Sequence, residues 1–157
     1  NLLGFEIAYQ QNLTFLPGFL KGFSVYANYT YTSSKATIQS RDQDSGTEEI
    51  RLPGQAKNVG NFSLAYDLKR FNIRISSNFN GEYMSEVGGD ASEDLFVNDR
   101  VQVDATAMYT ITPKLRVFAE FLNITNQPFE VYQGTEDQFI QREFYSWWSR
   151  VGVKFDF

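Results

Sequence analysis

Apolar and polar residues alternate with a period of two in seven segments of the chain, and this alternation limits the fold more than any other feature. Between Phe71 and Phe79, for example, the apolar side chains Phe71, Ile73 and Ile75 are separated by single polar residues. A period of two places successive side chains on opposite faces of a β-strand, whereas helical spacing is missing nearly everywhere. We therefore predict an all-β chain with strands at 3–10, 23–32, 61–66, 71–80, 101–110, 115–122 and 145–157.

The two alternating registers differ sharply in charge. The apolar register contains no charged residue in any of the seven segments, and the other register is rich in Asn, Ser and Thr. Several segments reach the length of about 9–11 residues that a tilted strand needs to cross a bilayer, beyond the usual strand of about five or six residues. The pattern predicts a sheet with one face in an apolar medium and the other in water. The charged residues of the polar register are Glu6, Arg74, Asp104, Arg116, Glu120, Arg150, Lys154 and Asp156.

The connections between the predicted strands are alternately short and long. Most of the 19 acidic residues lie in or beside the long connections. Short turns at one end and longer loops at the other are typical of transmembrane β-barrels. The short turns lie at 17–18, 67–70 and 112–114, and the long connections are 35–54, 84–99 and 127–142.

The amino-acid composition argues against several classes of structure and function. Aromatic residues make up 17% of the chain, which is too many for a disordered segment. No stretch is apolar for long enough to form a transmembrane helix. Because the chain has no Cys and no His, it lacks disulfides, the usual catalytic base and the commonest metal ligand, so we expect neither an enzyme nor a cofactor. A net charge of −5 without a Lys/Arg cluster argues against a nucleic-acid partner.

Two acidic stretches, Asp42–Gly46 and Asp90–Asp94, bring together oxygen atoms that are suited to Ca²⁺. Neither has the glycine and terminal glutamate spacing of an EF-hand loop. Solvated loops are commonly acidic, and that explanation is sufficient here. We therefore predict no metal site.

Two β architectures are compatible with the pattern. A soluble lipocalin-like barrel would place the apolar register inside, whereas a membrane barrel would place it against lipid. The membrane barrel is favoured by the amide- and hydroxyl-rich polar register and by an alternating last segment that ends on Phe157. It is also favoured by aromatic residues near the strand ends, where interfacial girdles form. The predicted lipid-facing girdle consists of Tyr9, Tyr29, Tyr66, Tyr109 and Trp147.

Seven strands are an odd number, and bacterial barrels use an even number. A segment at 47–52 would add an eighth strand, but it is short and charged. Seven strands alone would also leave two open edges in lipid, where each unpaired backbone group costs several kcal/mol. We therefore expect 1–157 to be the C-terminal part of a larger transmembrane barrel domain, with further strands upstream.

Several segments resemble the C-terminal end of TonB-dependent outer-membrane transporters, in the style of receptors from Bacteroidetes and Caulobacter-like bacteria. The most specific one runs from Phe121 to Pro128 and reads FLNITNQP, with Tyr132 and Gly134 after it. It is similar to the family's "N-(L/I)-T-N-x-P … Y-x-G" signature before the last strand. The order and spacing of the segments extend the resemblance over nearly the whole chain. The other segments are 16–32, 51–58, 103–112 and 145–157.

The resemblance implies a 22-stranded barrel with a plug domain upstream, in the outer membrane of a Gram-negative bacterium. It implies import of a scarce nutrient, such as siderophore-iron, a cofactor, an oligosaccharide or a peptide. The implied partners are outer-membrane lipid and lipopolysaccharide, TonB through the upstream part, a surface lipoprotein, and the barrel assembly machinery, which would read Phe157. The alternatives are a passive porin or structural barrel in an outer-membrane complex and, third, a small soluble ligand-binding barrel.

Three groups of residues are candidates for specific roles. The motif Asn123–Asn126 is interpreted as a strand-end turn in which Asn side chains satisfy free backbone groups. Charged side chains facing the lumen are expected to form a network between the barrel wall and the plug. That predicted network consists of Arg74, Asp104, Arg116, Glu120 and Arg150. Aromatic residues in or near the last long connection are predicted to bind substrate, and they are Tyr132, Phe139, Phe144 and Trp148.

Overall fold

The computed structural model describes residues 1–41 and 46–157, which form thirteen β-strands and two short 3₁₀ turns. No helix in these two ranges is long and apolar enough to span a membrane. The strands are β1 Leu2–Asn12, β2 Phe23–Ser34, β3 Ala36–Gln39, β4 Thr47–Ile50, β5 Asn58–Leu68, β6 Phe71–Asn80, β7 Tyr83–Glu86, β8 Leu95–Val97, β9 Arg100–Thr112, β10 Leu115–Leu122, β11 Phe129–Gln133, β12 Phe139–Glu143 and β13 Trp148–Phe155.

Seven long strands form one antiparallel sheet in the order β1-β2-β5-β6-β9-β10-β13, which we call the wall. Each wall strand lies beside the next one along the chain, as in a meander. The all-β class, the antiparallel arrangement and the seven predicted strands are confirmed. The 3₁₀ turn Gly18–Gly22 joins β1 to β2, and tight turns join β5 to β6 and β9 to β10.

The pairing register aligns the polar register of each strand with that of its neighbours across the wall. One row crosses five strands, because Arg74 of β6 lies opposite both Ala65 of β5 and Thr106 of β9, and Glu120 of β10 lies opposite both Thr106 and Arg150 of β13. One side of the wall, the polar face, therefore carries the polar register, and the other, the apolar face, carries the uncharged register.

The apolar face leaves large hydrophobic side chains exposed. Ile7 is 62% exposed and Val151 is 76% exposed on the edge strands β1 and β13, and Ile75 is 50% exposed on β6, which is paired on both sides. Among the described residues no large side chain is completely buried. A soluble protein rarely exposes so continuous an apolar surface, so this face is suited to an apolar medium.

Aromatic pairs form bands at the two ends of the apolar face. At the end with the short turns, the ring centroids of Phe23 and Tyr66 are 4.7 Å apart, and those of Phe71 and Tyr109 are 5.0 Å apart. At the opposite end, Phe5 lies between the rings of Tyr29 and Tyr31. Phe5 and Tyr31 are stacked, and the other three pairs are tilted, a geometry that favours aromatic contacts.

The long connections contain strands that the sequence pattern does not reveal. The first connection forms the β3–β4 hairpin, so the segment at 47–52 contributes a strand outside the wall rather than an eighth wall strand. The second and third connections together form a four-stranded sheet in the order β12-β11-β8-β7, which we call the rim sheet. Its strands have only three to five residues each, too few to show a clear period.

The last wall strand begins later than predicted. The alternation indicated a strand from Tyr145, but β13 begins at Trp148. Ser146 has a φ of 61°, in the left-handed region that a strand cannot contain. Trp147 of the predicted girdle therefore precedes β13, where it is 55% exposed, and Tyr9 lies within β1 opposite Ala27.

Two neighbouring lysine substitutions on β6 test the assignment of the faces. Ile75 lies on the apolar face opposite Leu64 and Ala105, and Ser76 lies on the polar face beside Asp104. In the full-length protein folded into lipid vesicles, Ile75→Lys is expected to lower the free energy of unfolding by about 2–4 kcal/mol, because it places a charge in lipid. Ser76→Lys is expected to change it by less than about 1 kcal/mol, since the new charge faces water and a carboxylate. Equal losses in denaturant titrations would contradict the assignment.

Candidate functional site

A row of amide side chains crosses the polar face near the rim sheet. Asn28 of β2, Asn61 of β5, Asn78 of β6 and Gln102 of β9 lie opposite one another in register. The Nδ2 of Asn61 donates to Oδ1 of Asn28 at 2.8 Å, and the Nδ2 of Asn78 donates to Oδ1 of Asn61. These four residues, the amide row, form an uncharged band of hydrogen-bonding groups across four strands.

The charged residues predicted for a single lumen network form separate contacts. Glu120 and Arg150 make an ion pair of 2.6 Å across β10 and β13, and Arg116 pairs with Asp156 near the short-turn end. Arg74 lies in line with Thr106, and it has no ion pair among the described residues. These charged residues therefore form separate contacts along the wall and not one connected network.

Hydrogen bonds to Asp104 link the amide row to the end of β10. Its carboxylate accepts hydrogen bonds from Nε2 of Gln102 at 3.0 Å and from the backbone N–H of Asn123 at 2.8 Å. Gln102 in turn accepts a hydrogen bond from Nη2 of Arg100 at 2.7 Å. A chain of polar contacts thus runs from the first residue of β9 to the turn after β10.

Asn123 holds the turn after β10 in place. Its φ is 53°, a conformation in which Asn is enriched, and only 5% of its surface is exposed. Its Oδ1 accepts from the backbone N–H of Gln127 at 2.9 Å, and its Nδ2 donates to the carbonyl of Ser146 at 3.1 Å. The interpretation of this motif as a strand-end turn that satisfies backbone groups is confirmed.

Arg41 joins the first long connection to the second. Its guanidinium pairs with Glu48 at 2.5 Å and with Asp94, and it donates to the carbonyl of Gly88 at 3.3 Å. Asp94 is only 4% exposed, and it also accepts from the backbone N–H of Gly88 at 2.8 Å. These hydrogen bonds raise the pKa of Arg41 and lower the pKa of Glu48. The result is a charged tie that is largely shielded from water.

Glu82 makes a second tie, which reaches all three long connections. One carboxylate oxygen accepts from Nη1 of Arg51 at 3.2 Å, and the other accepts from the hydroxyl of Tyr132 at 2.5 Å. The ring of Tyr132 stacks on Phe96 of β8, with the centroids 5.2 Å apart. Burial and this hydrogen bond raise the pKa of Tyr132. The first, second and third connections therefore form one interlocked rim.

The four aromatic residues predicted to bind substrate occupy different environments. Tyr132 is 4% exposed and packs inside the rim sheet, so its ring is not open to a ligand. Phe139 and Phe144 are exposed, and Arg142 lies over both rings at 5.7 and 5.5 Å. Trp148 is 52% exposed at the start of β13. The structure therefore supports three exposed rings near the rim and one that is structural.

Of the two acidic stretches considered for Ca²⁺, the structure describes only the second one in full. Residues 42–45 lie outside the described ranges. In the second stretch, Asp90 accepts from the backbone N–H of Ser92 at 2.8 Å, which lowers its pKa, and Asp94 is bound to Arg41. Within 1–41 and 46–157, no group of three or more acidic side chains is arranged to hold a metal ion.

A cavity of about 210 Å³ lies where the wall meets the rim sheet. It adjoins the amide row at Asn78 and Gln102, and Tyr83 and Phe129 are among its lining residues. The repeated Asn residues in the polar register were the one sequence signal for the amide row. Only the pairing of the strands shows that these residues lie side by side.

Removing the Asn123 side chain tests its role in the turn. In the full-length protein, Asn123→Ala is expected to lower the free energy of unfolding by about 1–3 kcal/mol, because the buried N–H of Gln127 and the carbonyl of Ser146 lose their partner. Limited proteolysis should then cut faster within 127–142. Asn126→Ala is the matched control, since Asn126 also has a positive φ of 50° but is exposed, so the backbone cost of alanine is the same at both positions. Equal effects of the two substitutions would contradict the assigned role.

The tie at Arg41 should depend on pH in a defined direction. Because Arg41 lowers the pKa of Glu48, the contact stabilises the fold above the ordinary glutamate pKa of about 4.3 and is lost as pH falls through the lower folded value. The protection of β4 against hydrogen exchange, expressed relative to the intrinsic exchange rate at each pH, should therefore fall below that pH in the wild-type protein. Glu48→Gln should exchange faster at neutral pH and respond less to acid. A Glu48→Gln variant that behaves like the wild type at neutral pH would contradict this prediction.

Comparison with known proteins agrees with this architecture. Residues 1–124 match the family described as TonB dependent receptor-like, beta-barrel, and this range includes the wall from β1 to β10. Comparison with curated proteins and with solved structures gives no match. The family is a transporter family of the Gram-negative outer membrane, which confirms the predicted resemblance and location. The chain belongs to the TonB-dependent receptor-like β-barrel family.

Proposed function

We propose that this chain forms part of the wall and rim of a transporter that uses TonB to import a scarce nutrient across the outer membrane. The observation that carries the proposal is the combination, in one family member, of an apolar outer face with a polar face that continues into an interlocked rim. The nutrient is a siderophore-iron complex, a cofactor, an oligosaccharide or a peptide. In this proposal, 1–157 is the C-terminal part of the barrel domain.

The proposed mechanism assigns different tasks to the rim and the polar face. The rim captures the ligand, and its ties through Arg41 and Glu82 hold three distant connections at fixed positions around the entrance. Preorganised contacts of this kind reduce the ordering cost of binding. Phe139, Phe144 and Trp148 are proposed ligand contacts at the rim, and Tyr132 positions its neighbours. The polar face then lines the route, while an upstream plug, coupled to TonB, opens and closes it.

The two faces of the wall give the proposed environment of each group of residues. Tyr9, Tyr29, Tyr66, Tyr109 and Trp147 are proposed to lie near lipid, in keeping with their uncharged register. Arg74, Asp104, Arg116, Glu120 and Arg150 face the lumen in this proposal, where charged groups contact water or the plug. We also propose that the barrel assembly machinery reads Phe157 and that a surface lipoprotein can contact the rim.

A transport assay separates an energised transporter from a passive pore. Cells that lack the gene and cells that express the full-length protein would be given ferric citrate, cyanocobalamin, maltohexaose and hexaglycine, each in strains with and without TonB. We expect at least one of these probes to accumulate only where both the protein and TonB are present. Accumulation that continues without TonB would contradict the proposal and would favour a porin.

A further inference from the structure

We propose that the amide row and the adjoining cavity bind a neutral, polyhydroxylated ligand, an oligosaccharide, on the polar face of the wall. This inference rests on the proposed transport function and narrows its substrate class. It combines three observations: uncharged hydrogen-bonding groups aligned across four strands, a cavity at one end of them that is lined in part by Tyr83 and Phe129, and a local balance of charge.

The amide row contains both donors and acceptors that have no partner among the described residues. Each carboxamide has an oxygen with two lone pairs and an NH₂ group with two donors. Asn61 and Asn78 each donate once along the row, so the NH₂ group of Asn28 and the oxygen of Asn78 have no partner among the described residues. A hydroxyl group both donates and accepts, so a ligand rich in hydroxyl groups can use both kinds of site.

The cavity beside the row is lined in part by aromatic residues. Tyr83 and Phe129 contribute to its lining, and a sugar ring presents C–H groups to aromatic side chains. The volume of about 210 Å³ admits a single ring rather than a whole ligand.

The charges around the site favour a neutral ligand over an anionic chelate. Arg100 is the only cation and Glu130 the only anion that line the cavity within the described part of the chain. Glu130 itself pairs with Arg142 at 2.6 Å, and the amide row adds no charge. Recognition of carboxylates or charged iron complexes relies on unpaired cations, usually Arg in bidentate contact. The cavity offers a single guanidinium, and one of its nitrogens already donates to Gln102. The groove that adjoins the row adds one cation, Arg74, and one anion, Asp104, so it too is balanced in charge.

The extent of the row fits an oligomer. From Asn28 on β2 to Gln102 on β9 the row crosses three spaces between strands, which is about 14 Å at about 4.8 Å for each space. A groove of about 330 Å³ continues along the same face beside Asn61 and Asn78. Tyr26 borders this groove and is 38% exposed, so an aromatic ring lies near each end of the site. A ligand of several linked rings can therefore contact the row, the groove and the cavity together.

Calorimetric titration of the full-length protein tests this inference, in a detergent without a sugar headgroup. The neutral probes are maltohexaose, xylohexaose and cellohexaose, and the charged probes are hexagalacturonate and ferric citrate. We expect at least one neutral hexamer to bind more tightly than either charged probe. Asn78→Leu, which removes the amide at similar volume, should weaken that binding by about 10–100-fold, the equivalent of about 1–3 kcal/mol.

Two further variants keep the result interpretable. Asn72→Leu is the matched control, since Asn72 lies on the same face of β6 but outside the row, where its amide donates to Asp67. It should change the binding constant by less than about twofold. Tyr83→Leu removes an aromatic ring from the cavity and leaves the row intact, so it should also weaken binding. A normal shift of the folded band in unheated gels would show that each variant folds.

Several outcomes would overturn the inference: tighter binding of a charged probe, no binding of any neutral hexamer, or neutral binding that is unchanged in both Asn78→Leu and Tyr83→Leu. TonB-dependent accumulation of ferric citrate would refute the substrate class and leave the transport function intact. Entry of a neutral hexamer without TonB would refute energised transport, while the titrations would still decide whether the amide row binds sugar.

Discussion

The structure depends on one constraint, which is that backbone hydrogen-bonding groups in lipid have no water to bind. Each N–H and C=O in the apolar layer must therefore find a partner on a neighbouring strand. The wall satisfies this by pairing consecutive strands over long, nearly unbroken registers, and its described pairings shift only between Leu115 and Arg116, beside a turn. Long strands, short turns and a strict period of two all follow from the same requirement.

The same pairing of strands assembles the amide row from residues of four strands, and no loop is needed to bring them together. Since register fixes which residues lie opposite each other, single Asn residues on three strands and Gln102 on a fourth become one continuous band. A shift of one residue in any of these strands would turn its amide toward lipid. Correct register therefore stabilises the wall and assembles the polar surface at the same time.

The wall could be predicted from sequence because lipid enforces a clean alternation, and the bounds 71–80 and 115–122 agree with β6 and β10. The rim could not be predicted in this way. Its strands have only three to five residues each, which is too few to show a clear period, and the left-handed Ser146 that delays β13 leaves no pattern.

The candidate site was predictable only in part. The polar register correctly placed Asp104, Glu120 and Arg150 on one face, but their partners depend on strand register. Tyr132 looked like an available aromatic residue, yet its hydroxyl binds Glu82, which is 50 residues earlier in the chain. Contacts at such separations leave no local signal, so sequence reasoning could not distinguish an exposed ring from a buried one.

The ties of the rim also have a consequence for the order in which the molecule assembles. Arg41 and Asp94 are 53 residues apart, and the wall strands β5, β6 and much of the second connection lie between them. Closing so long a loop costs conformational entropy, which falls once the intervening hairpin has formed. The contact between Arg41 and Asp94 therefore forms at a lower entropic cost once its section of the wall has paired.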